Sequence, residues 1–425
     1  MHRRTLLHTA ALAGLGFSAI GRHAWAATGK AAATAAPKRL VVVFLRGAVD
    51  GLSVVVPYAD SAYYAARSSI AIPRPGREGG ALDLDGRFGL HPALAPLMPF
   101  WQAGQLAFVH ASGSRDVTRS HFDAQDYMET GTPGRKATPD GWLNRVLGSL
   151  PATDGAAAPT RAVSVGAVLP RIYAGPHPVA NIAAGNGATK LSLLDRPAIG
   201  AAFDKLYSRD DKLSGAYQAS RQAHAEVMSS LDAGAMDASM QAEMQAANNG
   251  APLPNGFAED ASRLATLMRN DARVQLAFMA LGGWDTHANQ GGAKGQLSNR
   301  LAPLGQGLAA LASRLGPVLD DTVVVVMSEF GRTVHENGNG GTDHGHGNVM
   351  WLLGGPVVGG KVHGHWPGLA STALYEGRDL AVSTDFRQVL AEVLQRHLAV
   401  PSTQLRDVFP DYAPESDSPL RVIRT

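Results

Sequence analysis

LVVVFLRGAVDGL (residues 40–52) joins six consecutive apolar residues to a polar, glycine-bounded turn. An unbroken apolar run of that length reads as a strand covered on both faces, as in a parallel sheet buried between helices. The turn places Asp50 just past the strand's carboxyl end. Five more runs read the same way: LAFVHA (106–111), RAVSVG (161–166), VQLAFMAL (274–281), TVVVVM (322–327) and VMWLLG (349–354). Helical patterns separate them, at 92–103, 121–129, 140–150, 256–270, 296–316 and 385–398. This alternation predicts a doubly wound α/β fold, a mainly parallel sheet sandwiched by helices. Residues 197–250, rich in Ala, Met, Gln and Ser with a weak apolar stripe, predict a helical insertion that serves as a lid and ends in the turn-rich NNGAPLPNG (248–256).

The 425 residues are 45% hydrophobic and 17% charged, which excludes wholesale disorder, a collagen repeat and a coiled coil. Cysteine is absent, so disulfides, thiolate zinc sites, iron–sulfur clusters and a cysteine nucleophile are excluded as well. The formal charge of +2 includes Arg3, Arg4 and Arg22; without those three, 35 basic residues face 36 acidic ones. No basic stretch remains to recruit nucleic acid or an anionic membrane.

Those arginines belong to MHRRTLLHTAALAGLGFSAIGRHAWA (1–26), with a basic start, a short apolar stretch and Ala24-Trp25-Ala26 before Ala27. That pattern predicts a secretory signal peptide, and Arg3-Arg4 with the glycine-diluted apolar stretch points to the twin-arginine route. The stretch is too short and glycine-rich for a stable membrane anchor. An Ala-rich linker (27–37) would then lead into a single domain (38–425) in the periplasm.

Ligands of open α/β sheets bind outside the carboxyl ends of the strands. Four strands here end in reactive side chains. LAFVHA runs into SGSRDVTRSHFD, where Ser120 and His121 open a helix; VQLAFMAL runs into GGWDTH, with Asp285 and His287. TVVVVM runs into SEFGRT, with Glu329 and Arg332, and the loop HENGNGGTDHGHG (335–347) carries Asp343, His344 and His346 on five glycines. Imidazole and carboxylate without thiolate suit Zn²⁺, Mn²⁺ or Fe or, with more oxygen ligands, Mg²⁺ or Ca²⁺. Asp285 and His287, two apart in an extended segment, face the same side, as do His344 and His346.

Simpler readings stand beside these. Asp50 would cap a turn, Ser120 would be only the N-cap of its helix, and Glu329 would pair with Arg332. His335, His363 and His365 read as rim residues, His91 and His110 as core or capping histidines, and His224 as exposed. Gly355–Lys361 has phosphate-loop spacing, but Val362 stands where Ser or Thr is needed. HENGN (335–339) lacks the second histidine of a zincin, and no GxSxG elbow is present.

RGAVDGL (46–52), HPALAPL (91–97), TRSHFDAQDYMETG (118–131), GWDTHANQ (283–290), SEFGRT (328–333), GGTDHGHGNVMWLLGG (340–355) and GKVHGHWPGL (360–369), in this order, resemble the uncharacterised bacterial family called domain of unknown function 1501. The resemblance covers about 38–400. That family is itself similar to the alkaline-phosphatase-like superfamily of phosphatases, phosphodiesterases, sulfatases and phosphomutases. The resemblance implies two metals at the strand ends and a Ser or Thr nucleophile at a helix N-terminus. Carried over residue by residue, it makes Asp50, Asp285, His287, Glu329, Asp343 and His344 metal ligands and Ser120 the nucleophile, with Arg119 and Arg332 clamping the anion. It also implies export and a second uncharacterised exported protein as a neighbour. The superfamily expects an Asp-His or Asp-Asn pair directly after a strand like TVVVVM; here that place reads Ser328-Glu329-Phe330. Either Glu329 replaces the aspartate with His344 as a final ligand, or Asp343-His344 loops back to the site. The formylglycine mechanism of sulfatases finds no cysteine, and TRSHF lacks the proline of that motif.

Two functions are therefore expected. The first is a periplasmic hydrolase of small-molecule or polymer phosphate or sulfate esters, with one or two divalent metal ions. The alternative is a non-catalytic binding or assembly protein on the same fold, its metal structural or absent.

Overall fold

Strand β1 (Arg39–Leu45) shows why its apolar run is unbroken. Val41, Val43 and Leu45 enter one core while Leu40, Val42 and Phe44 enter another, and all six are fully buried. Successive side chains point to opposite faces of a strand, so one covered on both sides has no position for a polar residue. The computed structural model describes residues 36–151, 159–185, 244–413 and 419–424. Lys38–Thr425 groups as one compact unit. The predicted signal peptide, nearly all of the linker and most of the 197–250 insertion lie outside the described residues; of the insertion, 244–248 are helical.

The chain continues through β2 (Val55–Val56), β3 (Leu82–Asp83), β4 (Gly89–Leu90), β5 (Leu106–Gly113), β6 (Ala162–Val165), β7 (Ala180–Ile182), β8 (Leu276–Leu281), β9 (Thr322–Ser328), β10 (Asn348–Leu353), β11 (Lys361–His363) and β12 (Thr384–Asp385). Strands β2, β4 and β3 form a small antiparallel sheet. The others form the main sheet in the order β11-β5-β10-β9-β1-β8-β6-β7, with β12 also paired to β5. Between the strands run α1 (Gly51–Val54), α2 (Ser61–Ala66), α3 (Met98–Gln102), α4 (His121–Thr130), α5 (Trp142–Ser149), α6 (Phe257–Asn270) and α7 (Gln296–Leu315); α8 (Phe386–Arg396) and α9 (Leu405–Val408) follow the last strand. Helices α6 and α7 seal the core on one face of the sheet, and α5 and α8 seal the other. The fold is thus α/β, a mainly parallel sheet between two helical layers. Among the described residues no helix is long and apolar enough to cross a membrane.

Two expectations need correction. VMWLLG reads like a parallel strand, but β10 runs antiparallel to both neighbours, β5 and β9. An apolar run reports burial, not direction. The link from β9 to β10 is a loop without a crossover helix, so the chain turns back at the same sheet edge. Secondly, the stretch 92–103 is not one α-helix: Pro92–Leu97 is a 3-10 turn that gives way to α3. Pro96 and Pro99 remove N–H donors that a continuous α-helix would use.

The pairing register levels the site. Leu45 of β1 lies opposite Leu281 of β8 and Ser328 of β9. Residues 46–50, 282–287 and 329–347 therefore leave the sheet side by side.

Candidate metal centre

Arg332 ties these three segments together. It is 1% exposed, and its guanidinium donates to the carbonyls of Gly47 and Ala48 (2.7 Å each), Trp284 (3.2 Å) and Thr342 (3.1 Å) and to the Asp285 carboxylate. The 329–347 loop packs tightly enough that its glycines have steric reasons. A Cβ on Gly341 would lie 2.4 Å from the His287 carbonyl, and one on Gly345 would lie 2.4 Å from the Arg332 carbonyl carbon. Backbone this close to backbone admits glycine alone.

Three groups meet on this frame. Nε2 of His121, Nε2 of His344 and Oδ1 of Asp285 lie 2.9, 3.2 and 3.5 Å apart (His121–His344, His344–Asp285 and His121–Asp285). Among the described residues they form the one group of three or more His, Asp or Glu side chains close enough to share an ion. His287 stands at their edge, its Nε2 3.0 Å from both Asp285 Oδ1 and His344 Nε2.

The opposite ring nitrogens fix the tautomers. His121 Nδ1 lies 2.8 Å from Glu329 Oε1, His287 Nδ1 3.0 Å from Asp343 Oδ1, and His344 Nδ1 2.9 Å from the Arg119 carbonyl. Each partner is an oxygen that can only accept, so each Nδ1 carries the hydrogen and each neutral ring turns a bare Nε2 lone pair inward. Lone pairs and a carboxylate facing one another repel unless a cation or proton sits among them. Imidazoles anchored through Nδ1 to an oxygen acceptor are the usual outer support of metal-binding histidines. The spacings also match: tetrahedral Zn²⁺ with bonds near 2.0–2.1 Å sets its ligand atoms about 3.3 Å apart. Two nitrogens and one carboxylate oxygen suit Zn²⁺, Mn²⁺ or Fe²⁺ better than Mg²⁺ or Ca²⁺, which favour oxygen shells.

The charge balance agrees. Burial opposes a charge on Asp285, yet His121, His287, His344 and Arg332 outweigh it and hold the carboxyl far below its ordinary range. Burial likewise opposes protonation of His121, but contacts to Asp285 and Glu329 prevail and raise its pKa to about 9. His287 is raised, chiefly by its hydrogen bond to Asp285, whereas burial lowers His344. Without a metal, a proton on His121 fills the same role.

The remaining predicted residues fall elsewhere. Glu329 is fully buried and holds His121 while accepting from the Gly47 N–H (2.7 Å) and Gln125 (3.1 Å), so it supports a ligand from behind. Asp343, its side chain 54% exposed, does the same for His287. The structure does not bring Asp50 to the group: Arg67 takes both its oxygens (2.5 and 3.0 Å), and Ser53 and Gln290 add 2.7 Å bonds. Arg332 is an internal brace, buried and engaged by backbone carbonyls, and it pairs with Asp285, not Glu329. Arg119 is engaged by Glu376 and Asp379 (2.6 and 2.8 Å). Ser120 is exposed at the N-cap of α4, its side chain capping nothing, between Arg119, whose carbonyl holds His344, and His121. His346 stacks on Tyr375 with ring centroids 4.5 Å apart, and His363 bonds the Val358 carbonyl (2.9 Å). His91 caps a turn and His110 is buried, as their simpler readings expected. Sequence reasoning passed over His121 as a ligand, treating it as the residue that opens a helix. The available signal was its place beside Ser120 after a buried strand, with Gln125 one turn on.

Fold and site together define an α/β protein with a histidine–carboxylate centre at the carboxyl edge of its sheet. The chain belongs to the family described as "Protein of unknown function (DUF1501)", which matches residues 37–409. No curated protein matches it. Solved structures similar to it include Ps i-CgsB in complex with k-i-k-neocarrahexaose, with a TM-score of 0.36 and 9% identity over 87% of this chain and 74% of that one. The C-terminal periplasmic domain of EcEptC from Escherichia coli, in complex with Zn, gives 0.35 and 10% over 76% and 73%. The alkaline phosphatase of the Antarctic bacterium TAB5 gives 0.31 and 12% over 76% and 92%.

Proposed function

We propose that this protein is an exported, metal-dependent hydrolase of phosphate esters, and by the same chemistry of sulfate esters. One observation carries the reading: inward-facing Nε2 atoms, each fixed by an oxygen acceptor behind it, meet the buried Asp285 carboxylate beside an exposed serine. His121, Asp285 and His344 hold the ion, with His287 adjoining. A divalent cation there supplies Lewis acidity, lowering the pKa of a nearby hydroxyl and offsetting charge on the ester oxygens. The Ser120 hydroxyl attacks phosphorus, the bond to the ester oxygen breaks, and the alcohol leaves with a proton; water then releases phosphate from the serine. Since Arg119 and Arg332 are engaged elsewhere, the N–H groups of the first turn of α4 are left to stabilise the anion, which a helix N-terminus favours.

Those occupied arginines, with Asp50 bound to Arg67, favour a second reading: a non-catalytic binding or assembly protein, partnered by another exported protein, whose metal is structural. Metal analysis of protein produced with its own leader, followed by turnover of phosphate mono- and diesters, separates the two. Hydrolysis reads as one or more equivalents of metal, with turnover reduced at least about a hundredfold in Ser120→Ala while the metal is retained. Metal without turnover on any ester supports the second reading, and full activity in Ser120→Ala eliminates the covalent mechanism.

A further inference from the structure

A cavity of about 370 Å³ opens at the same sheet edge, its lining including Arg46, Val165, Leu169, Ala251, Phe278 and Ala280. Its two arginines are largely engaged, with only the buried Nε of Arg46 left without a hydrogen-bond partner. Arg46 pairs with Glu129 (2.7 Å) and donates to Gln125 (2.6 Å); Arg171 binds Asp126 (2.9 Å) and the Pro139 carbonyl (2.6 Å). What the cavity presents is therefore mainly apolar wall, extended outward by Val168 and Leu169, 47% and 42% exposed.

Helix α4 measures its distance from the metal centre. His121 belongs to the centre, Gln125 one turn later holds Arg46, and Glu129 one turn further pairs with it. One α-helical turn is about 5.4 Å, so centre and cavity are adjacent along one helix face. Gln125 touches both, donating to Glu329 and accepting from Asn249 on the cavity wall. A volume near the low end of small-molecule pockets suits one or two rings and not a polymer.

We infer that this cavity is the subsite for the apolar, ring-sized part of an ester whose anionic head lies at the His121–Asp285–His344 centre. The inference rests on the hydrolase reading. It is tested by titrating the metal-loaded full-length protein with 1-naphthylmethylphosphonate, methylphosphonate and the neutral 1-naphthylmethanol, following naphthalene fluorescence and calorimetric heat. The naphthyl phosphonate is expected to bind at least about tenfold more tightly than methylphosphonate, because burial of apolar surface drives the difference. Ala251→Trp at the wall, and independently Ala280→Trp, should bring that ratio close to one while leaving metal content and methylphosphonate affinity unchanged. Equal affinity of the two phosphonates, or a naphthyl preference that survives both tryptophans, overturns the cavity assignment and leaves the metal centre standing. If naphthylmethanol binds as tightly as its phosphonate and Ala251→Trp blocks both, the head group has no centre to reach. The hydrolase reading then fails, and the ester with it.

Discussion

Removing Arg332 strands Asp285 among histidines that are charged only when protonated, and uncouples the loops after β1, β8 and β9. Breaking a buried ion pair from one side leaves the partner's charge uncompensated, at a cost of about 3–5 kcal/mol. Arg332→Ala should lower the stability of the metal-free protein by that amount in urea unfolding monitored by circular dichroism. A loss under about 1 kcal/mol would place the brace elsewhere. Asp285→Asn breaks the same pair, but four backbone carbonyls still hold the Arg332 guanidinium and an amide oxygen can still accept from it, so the fold should persist at a smaller cost while metal content, measured by mass spectrometry, falls from stoichiometric to trace. The two variants separate holding the site together from holding the ion. Asp285 and His344 were legible in the sequence because each follows a buried strand directly or on a glycine-rich return. Asp50 has the same local signature, but its partner, Arg67, sits in no pattern that links the two. A strand-end carboxylate shows where it lies, and only the fold shows which cation has reached it.

The reversal of β10 does the same work at the level of elements. Were it parallel to β9, a crossover would carry the chain to the far end of the sheet, and residues 329–347 could not remain at the carboxyl edge. The antiparallel return keeps Glu329, Arg332, Asp343 and His344 at one edge, and close backbone packing fixes the loop's path. Gly345→Ala tests that packing. The added methyl meets the Arg332 backbone, so the loop must shift, at a cost on the order of 1–3 kcal/mol. Because His344 is the preceding residue, metal affinity should fall by at least about tenfold, read by competition with a chromophoric chelator. Gly338→Ala, where a Cβ meets nothing within 4 Å, is the control and should bind metal normally. The long buried strands of the main sheet were visible as apolar runs while the short polar β12 was not, and direction was not visible either, since β10 is as apolar as its neighbours. The glycines were visible too, but the reason for them lies in residues far away in the chain.

For the molecule as a whole, the centre couples stability to pH differently in the two metal states. In the metal-free protein His121 has a pKa of about 9, above the ordinary 6.5, and His287 is raised as well. A raised pKa stabilises the folded state fully below 6.5, and that stability is lost as pH climbs through 9. For His121 the loss is roughly 3 kcal/mol. His344, His91, His110 and His397 are lowered, so their effect is complete above 6.5 and adds no slope in this window. Asp285 and Glu329, both lowered, are ionised throughout it and matter only in acid. Metal binding requires the proton on His121 Nε2 to leave, so uptake at pH 7–8 should release about one proton, and affinity should rise with pH up to about 9. Thermal melts across pH 6.5–9 should therefore fall steadily for the metal-free protein. With saturating Zn²⁺ they should stay level or rise, because the ion replaces the proton that the metal-free centre loses. Parallel pH profiles in the two states would mean that His121 keeps its proton when metal is present, and would remove it from the ligand set.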